Sequence, residues 1–309
     1  MKLFSPDSTH WYQRDGVPLH SVTSAKGEPR PTTLRDARKL GLLPSVTNVL
    51  GVIAKPELTA WLQEQAVMAA LTLPRIAGET EDAFAKRVVA DSQTTRDGAA
   101  DFGTAFHHGA ERVAKTLEVD SQHPAAAWLV HYRDWYQANA FVLRWTEKVL
   151  VHPEGCYAGT ADLLIEHPVH GLTLVDLKTM KFPTARGDAR PTDGRPAARG
   201  DARPTDGRPA ARGDARPTDR RPAARGDSRP TNPKPYKSWC YQLAAYRYAL
   251  GQPVKCMNLI VNSIEPSAPV EHVWSDGEMQ AGWLAFKSAY QLWVIEKNYD
   301  PAGVSKDEG

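Results

Sequence analysis

The sequence predicts a mixed α/β fold of the α+β kind, a central mixed sheet flanked by helices and preceded by a helical amino-terminal region. Three observations lead there. Between Phe141 and Lys178, three strand-like runs are separated by turn residues. On either side lie segments with apolar residues at helical spacing. A repetitive tract over residues 187–230 fits neither pattern and interrupts the second half.

The amino-terminal third reads as helical, and residues 1–100 are assigned to a helical cap region. Ser45 is placed to cap a short helix ending at Gly51. Pro56 suits the first turn of the next helix, which carries Leu58, Trp61 and Leu62 on one face. Thr80 can cap another, with Ala83, Phe84, Val88 and Val89. A longer helix is expected from Asp101 to Leu117. There His107 and Glu111 share a face, and Gly103 one turn earlier would let another backbone approach closely.

After a helix over Ala125–Ala138 the pattern changes to strands. Phe141–Val151, Cys156–Glu166 and Leu172–Lys178 read as a meander, the last two joined by His167-Pro-Val-His-Gly171. The third strand puts Leu172 and Leu174 on one face and Val175 and Leu177 on the other, the pattern of a strand covered on both sides. A helix over Lys237–Leu250, a strand over Val254–Ile264, a short strand over Val270–Trp274 and a final helix over Asp276–Lys297 follow. The core is therefore assigned to residues 101–186 and 231–309.

The intervening tract repeats every 13 residues: Gly187-Asp-Ala-Arg-Pro-Thr-Asp-Gly-Arg-Pro-Ala-Ala-Arg199 recurs from Gly200 and Gly213, and in part from Gly226. Alanine is its only apolar residue, and its prolines block helix and sheet alike, so residues 187–230 are expected to be a disordered insertion. One reading is a tandem duplication tolerated in a surface loop, where added length costs little. The other is an arginine-rich arm that holds phosphates. Thirteen Arg or Lys against seven Asp between Thr184 and Pro235 leave the rest of the chain mildly acidic, so any nucleic-acid face there has to be a local basic patch.

Several classes are disfavoured. The start, Met1-Lys-Leu-Phe-Ser-Pro-Asp, lacks the apolar centre of a signal peptide, and no run is long enough to span a membrane. Three scattered cysteines, Cys156, Cys240 and Cys256, suit a reducing cytoplasm. No Gly-x-x-x-x-Gly-Lys-Ser/Thr occurs, so ATP is not expected as a cofactor.

The chemistry concentrates in Gly159-Thr-Ala-Asp162 and Asp176-Leu-Lys178. Asp176 and Lys178 leave a strand on the same face. In a hairpin centred on Val169, Asp162 falls opposite Asp176, with Cβ atoms about 5 Å apart. Like charges so placed call for a cation between them. Two carboxylates and a lysine form a divalent-metal site suited to attack on a phosphodiester. Asp162 as a plain strand-end acid and Lys178 as a snorkelling lysine are the bland alternatives.

These residues resemble the PD-(D/E)XK nuclease superfamily, in particular its RecB-like and phage-type exonuclease branch. Gly103-Thr-Ala-Phe-His107-His-Gly-Ala-Glu111 is similar to the branch's Gly-Thr-x-x-His-x-x-x-Glu motif, and Gln242-Leu-Ala-Ala-Tyr246 to its Gln-x-x-x-Tyr motif. Pro44 to Gly51, then Lys55-Pro-Glu-Leu and Trp61, are similar to its amino-terminal segment. The resemblance covers roughly residues 40–297 apart from the insertion, and each motif is weak alone.

It implies a restriction-endonuclease-like core with Asp162, Asp176 and Lys178 as catalytic residues. Mg²⁺, or Mn²⁺ in its place, would be held by Asp162, Asp176 and the Leu177 carbonyl, with His107 as a further ligand. Read alone, a histidine on a helix is more often a packing residue than a ligand; the motif match singles out His107. Glu111 would orient that imidazole, and Gln242 and Tyr246 would contact DNA or buttress the lysine, though an amphipathic face explains them as well. Glu147, in Trp-Thr-Glu-Lys-Val, occupies a position often acidic in the family and is expected to be structural. No iron–sulfur cluster is expected, since three cysteines fall short of the four that some relatives use. The implied partner is DNA, with a single-strand annealing protein as companion. The implied activity is a phage-type exonuclease. A structure-specific endonuclease and a catalytically silent DNA-binding accessory protein stand as alternatives.

Overall fold

The computed structural model describes residues 10–139, 141–182 and 233–303. The expectation of disorder over residues 187–230 lies outside these. The elements run in order β1 (Trp11–Tyr12), β2 (Ser21–Thr23), β3 (Pro29–Pro31), α1 (Leu34–Leu40), β4 (Leu43–Pro44) and α2 (Val46–Val49), which a 3₁₀ turn extends over Leu50–Val52. Then come α3 (Pro56–Thr72), α4 (Glu81–Thr116), α5 (Ala126–Ala138), β5 (Val142–Val151), β6 (Ala158–His167) and β7 (Gly171–Met180). The chain closes with α6 (Lys237–Leu250), β8 (Lys255–Asn262), β9 (Val270–Trp274) and α7 (Asp276–Lys297). The fold is mixed α/β, a sheet flanked by helices.

The helical reading of the amino-terminal third needs correction before residue 45. Two antiparallel strand pairs, β1 with β4 and β2 with β3, surround α1. Lys26-Gly27, with the glycine at φ of +83°, turns β2 into β3, and Asp15-Gly16, with φ of +90°, turns β1 back to an isolated bridge between Tyr12 and Pro18. Strands only two or three residues long show no readable alternation. From Val46 to Thr72 the helices appear as expected. The Ser45 side chain accepts the Asn48 N–H, and Pro56 opens α3.

The helices expected around Ala83 and from Asp101 are one. Thr80 caps α4 through the Ala83 N–H, and the helix continues for 36 residues to a left-handed cap at Leu117. That is about 54 Å of helix. Gly98 is the only breaker in its middle before the Gly103 motif, and one glycine costs about 1 kcal/mol, too little to end a helix packed along its length.

The five-stranded sheet has the order β5-β6-β7-β8-β9, antiparallel throughout except for the parallel pair β7 and β8 joined across α6. β7 is its central strand and is covered on both sides, as its apolar pattern required. Leu174 joins Leu164 and Cys256 against Leu243 of α6 and Phe286 of α7. Val175 and Leu177 face Phe106 and Val113 of α4 and Leu129 and Tyr132 of α5. Among the described residues, no helix is long and apolar enough to cross a membrane.

The packing of α4 on α5 is tight at Gly109, where a Cβ would stand 2.4 Å from Leu129 Cδ1. Leu129 is itself only 1% exposed and has no room to retreat. Gly109→Ala should gain about 1 kcal/mol of helix propensity and lose up to about 3 kcal/mol to overpacking. The expected result is a lower urea midpoint with an unchanged slope.

Candidate metal centre

The β6–β7 hairpin supplies the centre because its ladder stops early. Pairing runs from His167↔Gly171 to Leu163↔Val175, the register centred on Val169 that the turn residues dictate. The next pair would be Asp162 and Asp176, but the ladder ends before it. The Leu177 N–H donates instead to Asp162 Oδ2 at 2.6 Å. The carboxylate takes the place of a strand carbonyl, and the two aspartates meet at an open strand end rather than as a simple cross-strand pair.

Each aspartate has a basic neighbour. His107 Nδ1, on α4, lies 3.6 Å from Asp162 Oδ1. Lys178 Nζ lies 2.6 Å from Asp176 Oδ2. Asp176 is almost fully enclosed, its side chain 3% exposed, whereas that of Lys178 is 18% exposed at the mouth. Gly103 explains how α4 comes so near: a Cβ there would stand 3.3 Å from Thr179 Oγ1, so the helix rests against the end of β7.

The titration shifts follow from this arrangement. Burial and the Asp162 charge push Asp176 up to about 6, against the opposing pull of Lys178. Burial acts the same way on Asp162, but there His107, Lys178 and the Leu177 N–H outweigh it and hold the carboxyl below its ordinary value. Burial opposes the charged form of His107, and the attraction of Asp162 overcomes it, so the imidazole pKa is raised. Neighbouring acids are thus driven apart in pKa, a pattern typical of sites where one group must be ionised and another can hold a proton.

Glu147, expected to be structural, belongs to the centre. In the β5–β6 ladder Thr146 pairs with Leu163 and Lys148 with Ala161, which sets Glu147 opposite Asp162. Its backbone is left-handed, with φ of +47°, an unusual conformation for glutamate in a strand. One ligand atom each from His107, Glu147 and Asp162 lie within 4.8 Å of one another. Although the residue as a whole is exposed, its carboxyl end leans into the site. Partial burial, with the charges of Asp162 and Glu111, pushes its pKa up to about 7. The same register arithmetic that paired the aspartates could have placed Glu147 beside Asp162.

The remaining expected residues take up different places. Glu111 does not orient His107; its Oε1 accepts from Lys115 Nζ at 2.5 Å, one turn along α4. Leu177 is buried, with its N–H on Asp162. Gln242 Nε2 donates to the Tyr246 hydroxyl at 3.3 Å. Tyr246 is 4% exposed and so cannot reach DNA. It fills the space beside Gly159, where a Cβ would stand 2.8 Å from Tyr246 Cε1, and burial raises its phenol pKa well above the ordinary value. It buttresses β6 behind Asp162, which gives the glycine of Gly159-Thr-Ala-Asp162 a packing reason.

Two further groupings, His152 with Glu154 and Cys156 and His167 with His170 and Glu271, also bring three potential ligands together. Their chemistry differs. Nδ1 of His152 accepts the Glu154 N–H, and Nδ1 of His167 accepts those of Val169 and His170. An imidazole with an accepting Nδ1 carries its proton on Nε2 and offers no free lone pair to a metal. His107 has no such backbone donor among the described residues, and beside Asp162 a histidine meets two acids rather than one.

No protein-family model matches the chain, and no curated protein matches it significantly.

Protons and a metal ion would compete for Asp176 and Glu147, whose pKa values are about 6 and about 7. Mn²⁺ affinity should therefore climb between pH 5 and pH 8. At pH 8, millimolar Mn²⁺ should raise the melting temperature, as any ligand of the native state does. At pH 5 the increment should vanish. Calorimetric scans at both pH values check this, and Asp162→Asn should abolish the effect.

Proposed function

We propose that the chain is a divalent-metal-dependent deoxyribonuclease that hydrolyses DNA from its ends. One observation carries the reading: Asp162, Asp176 and Glu147 converge with His107 and Lys178 where the β6–β7 ladder opens. A donor set of carboxylate oxygens with one imidazole suits Mg²⁺ or Mn²⁺. Asp162 and Asp176 would hold the ion, with His107 and the Leu177 carbonyl beside them, and when bound it would supply Lewis acidity and a water of lowered pKa.

The protein's own groups supply the rest. Lys178, the more exposed member of its pair, can turn from Asp176 toward a phosphate at the mouth and offset the charge that builds up there. Glu147, with a pKa of about 7, is suited to accept the proton of an attacking water. Asp162 stays ionised and fixed by the Leu177 N–H. No covalent intermediate is required. The preference for ends rests on the resemblance of residues 44–62 and 103–111 to phage-type exonucleases. In that reading the amino-terminal helices form a cap admitting a DNA terminus. A single-strand annealing protein is the companion such enzymes work with. A reducing cytoplasm suits the free thiols of Cys156, Cys240 and Cys256.

A rival reading, a catalytically silent DNA-binding protein, draws on the fact that Asp162 and Asp176 each already have a basic side chain beside them. Glu147 weighs against it, since a third acid pressed toward the same point has no use in gripping a polyanion.

The test compares wild type and Lys178→Ala on end-labelled linear DNA and on closed circles, with Mg²⁺ or EDTA. Wild type should digest linear DNA with Mg²⁺ only, the variant should be slower by about 10²-fold or more, and circles should survive. Circles cut as fast as linear DNA would move the reading to an endonuclease. DNA binding without Mg²⁺-dependent cleavage would establish the silent protein.

A further inference from the structure

Behind the metal centre, on the side covered by α6 and α7, a buried amide interrupts an apolar surface. Asn258, in the middle of β8, is fully buried and pairs with Asp176 in the parallel ladder. Its neighbours on that face, Cys256 and Ile260, are apolar and equally buried. An amide in such a position is costly unless every polar atom finds a partner. Here all do: Nδ2 donates to Asp176 Oδ2 at 2.6 Å, with a longer approach of 3.4 Å to the Asp176 carbonyl. Oδ1 accepts from Trp274 Nε1, on β9, at 2.7 Å.

The indole determines which way round the amide sits. Nε1–H can only donate, so the oxygen of Asn258 must face Trp274 and the NH₂ must face the carboxylate. Without that donor the amide could turn over and set its oxygen against Asp176. Both donors to the carboxylate, Asn258 Nδ2 and Lys178 Nζ, reach Oδ2, and among the described residues none reaches Oδ1.

We propose that Asn258, oriented by Trp274, is a positioning residue for Asp176, gripping one carboxylate oxygen so that the other is presented to a divalent cation. This rests on the nuclease reading above. A cation arriving at Asp176 repels the Lys178 ammonium, so a carboxylate held by the lysine alone would lose its holder as the ion binds. The neutral amide is indifferent to that charge and keeps the carboxylate in place, while Lys178 is released toward the phosphate.

The experiment uses the full chain with Trp274→Phe, Asn258→Leu and, as a control, Asp176→Asn. Free Mn²⁺ is followed by electron paramagnetic resonance, and the Mg²⁺ dependence of cleavage is measured in parallel. Removing a group that orients a metal ligand typically weakens binding by about 10- to 100-fold. A loss of about tenfold is expected in both variants, with the cleavage rate largely restored at saturating Mg²⁺. Wild-type affinity in both folded variants overturns the positioning role and leaves the nuclease reading intact. A wild-type protein with no Mn²⁺ site sensitive to Asp176→Asn overturns both. A second readout needs no core variant to be stable. The Trp274 indole N–H resonance of wild type should move when Mg²⁺ is added and stay still in Asp176→Asn. A resonance unmoved by Mg²⁺ in a wild type that binds the ion also rejects the proposal.

Discussion

A single backbone N–H, that of Leu177, governs the arrangement of the site. In an uninterrupted hairpin it would bond to a carbonyl of the neighbouring strand. Here it bonds to the Asp162 carboxylate at 2.6 Å, and three consequences follow. The ladder stops at Leu163↔Val175, so the strand ends are free of one another where the acids lie. Asp162 is fixed in place, and the charge-assisted bond adds to His107 and Lys178 in favouring its ionised form. The charge thus held in place then helps burial to push Asp176 up to about 6. The asymmetry between two aspartates of the same hairpin originates mainly in His107, which lies against Asp162, and the Leu177 N–H adds to it.

The rest of the fold delivers groups to that opening. α4 brings His107 in over the sheet end, and it can come close because Gly103 lies against Thr179. α6 brings Tyr246 against Gly159 from the opposite face, and β8 brings Asn258 alongside Asp176. Small residues thus stand where an element presses on the hairpin. The glycines of the two motifs have packing duties at those points, and the polar residues beside them have charge duties. Function-bearing motifs in this chain are short because each marks one place where a helix or strand meets the site.

Much of this was legible because it is local. The centre of the β6–β7 hairpin follows from its turn residues, and the two-sided cover of β7 follows from a run apolar on both faces. The bounds of α6 and α7 are marked by Gly251 and by Ser275, which caps through the Glu278 N–H. What escaped is not local. Strands of two or three residues around Gly16 and Gly27 carry no period to read. A helix passing through Gly98 is continued by packing rather than propensity. Trp274 and Asn258 are 16 residues apart and look like an interfacial aromatic and a stray amide until β9 pairs with β8. The place of Glu147 opposite Asp162 follows from the β5–β6 register, but its positive φ is one that no alternation of apolar and polar residues predicts.

The charges in the site form a set that exchanges rather than one at rest. Three acids, Asp162, Asp176 and Glu147, face two basic side chains, His107 and Lys178. Near neutral pH the balance is met partly by a proton, since Glu147 has a pKa of about 7 and Asp176 of about 6. Lysine and proton are both exchangeable partners there: the ammonium is part-exposed, and the proton can leave to water. A doubly charged ion can displace both, because it answers two carboxylates at once and pays no side-chain entropy. Under the nuclease proposal, such an ion would release Lys178 and take the place of a proton, leaving both an ammonium and a carboxylate available to the reaction.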